Sequence, residues 1–223
     1  MFICNLCLSI VSDKISPLSL VLYKIRPAIV ENTGDKIEIR FQAGNTKKVR
    51  DKDVTLLHPG PVQSFDFLQS MEGDVEDAWE LLQGEQAGLA EVAELIFGVY
   101  TPASAWATWK ILQDNLYFSG KPERIKARSK EEVSKEKAAR AAKLAEEKAW
   151  DDFLQRVRSG ALEPEDRKRL AEVERLAFGK TDKSRILASL ELQETPESAH
   201  HFLIKCGYWP ANFNPWPHRE GAI

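Results

Sequence analysis

The chain is poor in the residues that staple small folds or hold metals: its 223 residues include three cysteines and four histidines. That is too few for a disulfide framework or a multi-zinc protein, and a reducing cytoplasm is the simplest home. No run approaches the roughly 18 uninterrupted apolar residues of a membrane span. Met1 to Val11 is apolar but has no basic start, and Asp13 and Lys14 follow before any small-residue cleavage site, so a signal peptide is poorly formed. Clustered glycines between a strand and a helix are missing, which excludes a Walker loop and a dinucleotide-binding fingerprint. No G-x-S-x-G elbow occurs either. Neither sign of charge dominates, with 31 Lys+Arg against 34 Asp+Glu. That balance excludes a wholly basic nucleic-acid coat and a disordered acidic tail.

The near-neutral balance conceals a segregation. Nine acidic residues and no basic ones lie between Phe65 and Phe97. Lys24 to Lys52 holds eight basic residues against four acidic, and Lys110 to Lys143 holds ten against five. Two basic tracts thus flank an acidic one, the pattern of local anion-binding surfaces on a neutral protein.

Residues 1–17 read as an amino-terminal extension. Residues 18–62 then alternate in short runs: Leu18 to Tyr23, Ala28 to Glu31, Lys36 to Phe41, Lys47 to Val49 and Asp53 to Leu57, separated by turn residues. Their length and spacing predict a small antiparallel SH3-like barrel closed by Pro59-Gly60-Pro61. Its polar strand faces carry Lys24, Arg26, Arg40, Lys47, Lys48 and Arg50.

Residues 65–128 change period. Asp74 is placed to cap a helix to about Gln83, glycines 84 and 88 mark a turn, and Leu89, Val92, Ala93, Ile96 and Phe97 trace an amphipathic helix stopped by Gly98. Thr101-Pro102 opens the next helix with a capping residue and a first-turn proline. After Leu116-Tyr117-Phe118 and the Ser119-to-Pro122 turn, a second short strand runs from Arg124 to Arg128. This is the order of a winged helix-turn-helix. The helix after Thr101 occupies the recognition position and carries Trp109 and Lys110; Lys121, Arg124, Lys126 and Arg128 sit on the wing, suited to neutralising phosphates. Trp106 and Trp109, spaced i, i+3, also fit a core stripe.

Residues 129–207 read as helical. Ser129-Lys130-Glu131-Glu132 is a capping box that opens a long Ala/Glu/Lys-rich helix to about Arg158. Further helices follow at Glu165 to Phe178, Lys183 to Leu190 and Thr195 to Cys206. Residues 208–223, with three prolines and four aromatics, read as an extended connector. The fold class expected is therefore α+β, mostly α.

No catalytic residue and no metal site emerges. Cys4 and Cys7, with Cys206, His200 and His201, have weak zinc spacing. Asp151 and Asp152 are adjacent on a helix, where side chains diverge.

Tyr23-Lys24-Ile25-Arg26-Pro27-Ala28, Ala103-Ser104-Ala105-Trp106-Ala107-Thr108-Trp109 and Leu116-Tyr117-Phe118-Ser119-Gly120 resemble the amino-terminal region of bacterial ribonuclease II-like proteins of the RNB exoribonuclease family. Thr195-Pro196-Glu197-Ser198-Ala199-His200, Gly207-Tyr208-Trp209 and Asn214-Pro215-Trp216-Pro217 are similar to the last segment before that family's catalytic domain. The resemblance implies processive 3′ to 5′ hydrolysis of single-stranded RNA by a magnesium-dependent RNB domain in cis. The aspartate cluster of that domain is not found in this sequence. The expectation for these residues is RNA capture and guidance, with hydrolysis performed elsewhere. A winged-helix protein of duplex DNA and a non-catalytic protein-interaction scaffold are the competing readings.

Overall fold

The computed structural model describes residues 14–219. The readings placed on Met1 to Val11, the Cys4 and Cys7 pair among them, lie outside the described residues. The chain forms two compact units, Met1–Ala138 and Ala139–Ile223.

The first unit begins with a five-stranded antiparallel sheet: β1 (Leu20–Tyr23), β2 (Arg26–Asn32), β3 (Ile37–Arg40), β4 (Thr46–Val49) and β5 (Val54–His58). The strand order is β4-β3-β2-β1-β5. Alternation sends Val21, Ala28, Val30, Ile37 and Ile39 to one face, where Phe41 and Val49 join them. Leu20, Leu22, Ile29 and Leu57 face the other way, into a core shared with the winged element.

One detail of the expected barrel is corrected. Closure requires β4 and β5 to exchange backbone hydrogen bonds, and they stand instead at opposite edges of the sheet. Between them a 3-10 turn at Asp51–Asp53 is satisfied locally: the Asp53 amide donates to the Arg50 carbonyl at 2.9 Å, and Arg50 Nε donates to Asp53 Oδ2 at 3.1 Å. The structure is an open sheet with the strand sequence expected of it.

The winged element follows as α1 (Val75–Leu81), β6 (Gln86–Ala87), α2 (Leu89–Phe97), α3 (Pro102–Asp114), β7 (Phe118–Lys121) and β8 (Arg124–Ala127). Its sheet order is β6-β8-β7. The sequence reading has a turn where β6 lies, because a two-residue strand is too short to show a period. Asp74 stands at the N-cap of α1 but its side chain makes no capping bond. Thr101 caps α3 through Ser104 as a reciprocal box, and Gly98 ends α2 at φ 72°. Gly120 is at φ 118°, and a Cβ there would lie 2.3 Å from the Arg124 carbonyl oxygen. Only glycine fits this close approach of the two wing strands.

Helix α4 (Lys130–Ser159) starts on the capping box read in the sequence: the Ser129 amide donates to Glu132 Oε2 at 2.9 Å and the Glu132 amide to Ser129 Oγ at 3.2 Å. Val133 enters the first core. Lys137 Nζ donates to Glu76 Oε1 at 2.9 Å and lies 5.0 Å from the Tyr117 ring centre, while the Tyr117 hydroxyl donates to the same carboxylate. The Tyr117 hydroxyl and then Lys137 hold the Glu76 carboxyl below its ordinary range.

The second unit packs the later half of α4 with α5 (Asp166–Ala177), α6 (Arg185–Ser189), α7 (Pro196–Lys205) and the short α8 (Trp216–Arg219). Phe153, Leu170, Val173, Leu176, Leu187 and Leu203 form its core. The segment expected to be extended folds back onto this core. Trp209 is buried, stacks on Phe213 at 4.1 Å and donates Nε1–H to Glu174 at 3.2 Å, while His200 Nε2 meets the Phe213 carbonyl at 3.0 Å. Burying these rings removes more apolar surface from water than an extended run could. Among the described residues no helix is long and apolar enough to cross a membrane.

Candidate nucleic-acid interface

Of the twelve side chains singled out in the sequence, eleven fall into three groups and Trp109 lies in α3. The first gathers at the β1–β2 turn, where Lys24 adopts a left-handed backbone at φ 60°. Tyr23 and Phe41 meet edge to face with ring centres 6.2 Å apart. Lys47 Nζ donates to the Tyr23 hydroxyl at 3.1 Å and lies 4.8 Å from its ring centre, with Lys24 Nζ at 6.0 Å. The Arg26 guanidinium sits 5.6 Å over Phe41. Three exposed cations thus surround the half-buried Tyr23 ring, with Phe41 buried edge-on beneath it, an arrangement that offers phosphates a positive field and, at Tyr23, a π surface for a base. The sequence reading selected the cations and missed the rings; Tyr23 and Phe41, closing their strands, were the available signal.

The second group is the wing. Burial alternates along β8, so Arg124 and Lys126 are exposed while Ile125 and Ala127 are buried. Lys121 pairs with Arg124 across the hairpin, and Ser119 with Lys126, so the three cations share one outward face. No carboxylate stands within ion-pair distance of these three among the described residues.

In the third group Arg40, Arg50 and Arg128 are tied into the fold, while Lys48 and Lys110 are exposed. Arg40 Nε donates to Glu31 at 2.7 Å and Nη2 to the Gln63 carbonyl at 3.2 Å, with the guanidinium over Phe65. Arg50 is held by Asp53. The Arg128 guanidinium donates to the Asn115 carbonyl, and the Arg128 carbonyl accepts from Trp79 Nε1 at 2.7 Å. Lys48 pairs with Glu38 across β3–β4, so Lys47 and Lys48 point to opposite faces of the sheet. Lys110 is exposed, 5.9 Å from the Trp106 ring centre.

Helix α3 is largely covered. Ser104, Ala105, Trp106, Ala107 and Thr108 are all buried, and Trp109 packs half-buried against the first core. The indole N–H groups of Trp106 and Trp109 are buried without a hydrogen-bond partner among the described residues. A helix packed this way does not present a free face to the major groove of a duplex.

Among the described residues no three His, Cys, Asp or Glu side chains group to hold a metal ion.

Helix, strand, two helices and a hairpin, followed by a second helical unit, make this a winged-helix protein. Residues 69–132 match the ribonuclease II winged helix domain, and residues 133–215 match the double HTH domain of the same enzyme. The chain is a ribonuclease II-like amino-terminal region. It is 28% identical over 213 residues to "Ribonuclease II, chloroplastic/mitochondrial" of Arabidopsis thaliana, an alignment that covers 78% of this chain and 26% of the relative. The chain thus spans about a quarter of that relative's length. No solved structure matches it.

Proposed function

We propose that this chain is the substrate-guiding part of a ribonuclease II-type 3′ to 5′ exoribonuclease. It holds single-stranded RNA on the Tyr23–Phe41 patch and the wing, and feeds it to an RNB catalytic domain in the same polypeptide. Magnesium-dependent hydrolysis belongs to that domain. The scarcity of cysteine supports a reducing compartment, the cytoplasm, as the setting.

The observation that carries this reading is the aromatic pair ringed by Lys24, Arg26 and Lys47. Stacking and phosphate contacts of that kind are tolerant of sequence and sensitive to salt, as a processive enzyme needs. The burial of α3 weighs against groove reading of duplex DNA. Titration of a labelled poly(A) strand at several salt concentrations tests the reading. Affinity that falls with added salt and exceeds that for duplex DNA is expected; no binding even at low salt would sink it.

A further inference from the structure

In the second unit, α4, α5 and α6 enclose an open cleft of about 910 Å³ that the sequence reading did not single out. Trp150 forms its floor, half-buried and 5.6 Å from Phe153. The exposed Arg185 guanidinium lies 4.2 Å from the Trp150 ring centre, the shortest cation–ring approach among the described residues. Lys168 and Arg175 stand on the same side and are exposed, with no ion-pair partner among the described residues.

The carboxylates of the cleft are unequally available. Glu172 is engaged by the Ser184 hydroxyl at 2.8 Å and the Ile186 amide at 3.4 Å. Glu147 lies 3.9 Å from Lys143. Glu146 and Asp151 remain, both on α4, across from the cations of α5 and α6. One wall is therefore attractive to an anion and the other repels it.

We propose that this cleft is a second single-stranded RNA contact, in which one base stacks on the Arg185–Trp150 pair and adjoining phosphates lie against Arg175 and Lys168. The proposal rests on the RNA-guiding reading above and assigns it a site in the double helix-turn-helix unit. A guanidinium held 4.2 Å over an indole pairs two planar groups on which any base can stack. Glu146 and Asp151 confine the backbone to the α5–α6 wall. An amphipathic protein helix would also meet both walls, but it would make no particular use of a planar stack flanked by two unpaired cations.

The test uses the full 223-residue chain and a fluorescein-labelled ten-nucleotide oligouridine, titrated at several salt concentrations. Arg175→Glu and Lys168→Glu are each expected to weaken binding several-fold and to reduce the salt slope by about 0.7. Arg185→Ala is expected to cost about five-fold or more through lost stacking. Arg185→Lys keeps the charge and loses the plane, so it should weaken binding while leaving the salt slope unchanged. Glu146→Gln with Asp151→Asn should tighten binding, a change that a purely structural role would not produce. A 5-iodouridine strand should crosslink to the peptide containing Trp150. If the strand binds, loses affinity on charge reversal of the wing, and ignores all cleft variants and the crosslink, the cleft is not an RNA site and the RNA-guiding reading stands. If the strand fails to bind at any salt concentration, both fall.

Discussion

Arg156 and Asp166 meet in a two-pronged pair: Nε donates to Oδ2 at 2.9 Å and Nη2 to Oδ1 at 2.7 Å, joining the end of α4 to the start of α5. Asp166 is almost fully buried, and its Oδ2 also accepts from the Glu163 amide at 3.0 Å. Hydrogen bonding to Arg156 holds the carboxyl below its ordinary range in the folded chain. The unfolded chain therefore takes up the proton first on acidification. The contribution is complete above the unfolded value, about 3.9, and is lost as pH falls through the lower folded value. Asp166→Ala is expected to destabilise the second unit by about 1–3 kcal/mol through unsatisfied donors and to flatten its acid transition, read by chemical denaturation between pH 6 and 2.

His58 gives the first unit a pH dependence in a milder range. The ring is buried against Tyr100 at 4.7 Å, and Nδ1 accepts the Gly60 amide at 3.0 Å. Burial lowers its pKa, opposed in part by a hydrogen bond to the Tyr100 backbone. The unfolded chain again binds the proton first, so stability is complete above the unfolded value of about 6.5 and declines as pH falls through the folded one. His58→Gln keeps an acceptor for Gly60 and does not titrate. Its unfolding midpoint should change less between pH 7.5 and 5 than that of the parent.

The wing supplies a test of binding that leaves folding alone. Lys121→Glu, Arg124→Glu and Lys126→Glu together should weaken single-stranded RNA binding and lower the salt slope by about 2. Stability should stay within about 0.5 kcal/mol of the parent, as for other exposed substitutions. A loss of affinity with an unchanged salt slope would show that these cations do not touch phosphate.

Gly120→Ala should do the opposite, damaging the hairpin without touching a charge. The added Cβ meets the Arg124 carbonyl oxygen and the left-handed backbone disfavours any side chain. A cost of about 1–3 kcal/mol is expected, measured as a lower midpoint of thermal unfolding, with RNA affinity reduced because Lys121 and Arg124 lose their register.

Much of the architecture was legible because its signals are local. Thr101, Ser129 and Thr195 each announce a helix start by a side chain reaching the amide three residues on, and all three bonds form. The alternation in Ile37 to Arg40 gave β3 its buried and half-buried faces. What escaped depends on partners distant in sequence. Whether β4 and β5 pair depends on strands at the two ends of the sheet order, and the return of Trp209 and Phe213 to the core depends on contacts with Glu174 and His200. Charge type alone did not separate Arg40, which is tied to Glu31, from Lys47, which lies over Tyr23. The Arg185–Trp150 stack joins residues 35 positions apart, which no local pattern reports.

The open sheet has a consequence for solubility as well as for binding. A closed barrel has no free margin, whereas β4 leaves one row of backbone donors and acceptors without a neighbouring strand among the described residues, the kind of template on which a second chain can add. Lys47 and Lys48 project on either side of that margin, so a docking strand would have to bury or oppose two like charges. The same lysines that attract an anion thus repel a neighbouring copy. A variant that replaces both with apolar residues should be followed by light scattering as well as by RNA titration, because added self-association would lower the apparent affinity without any loss of phosphate contact.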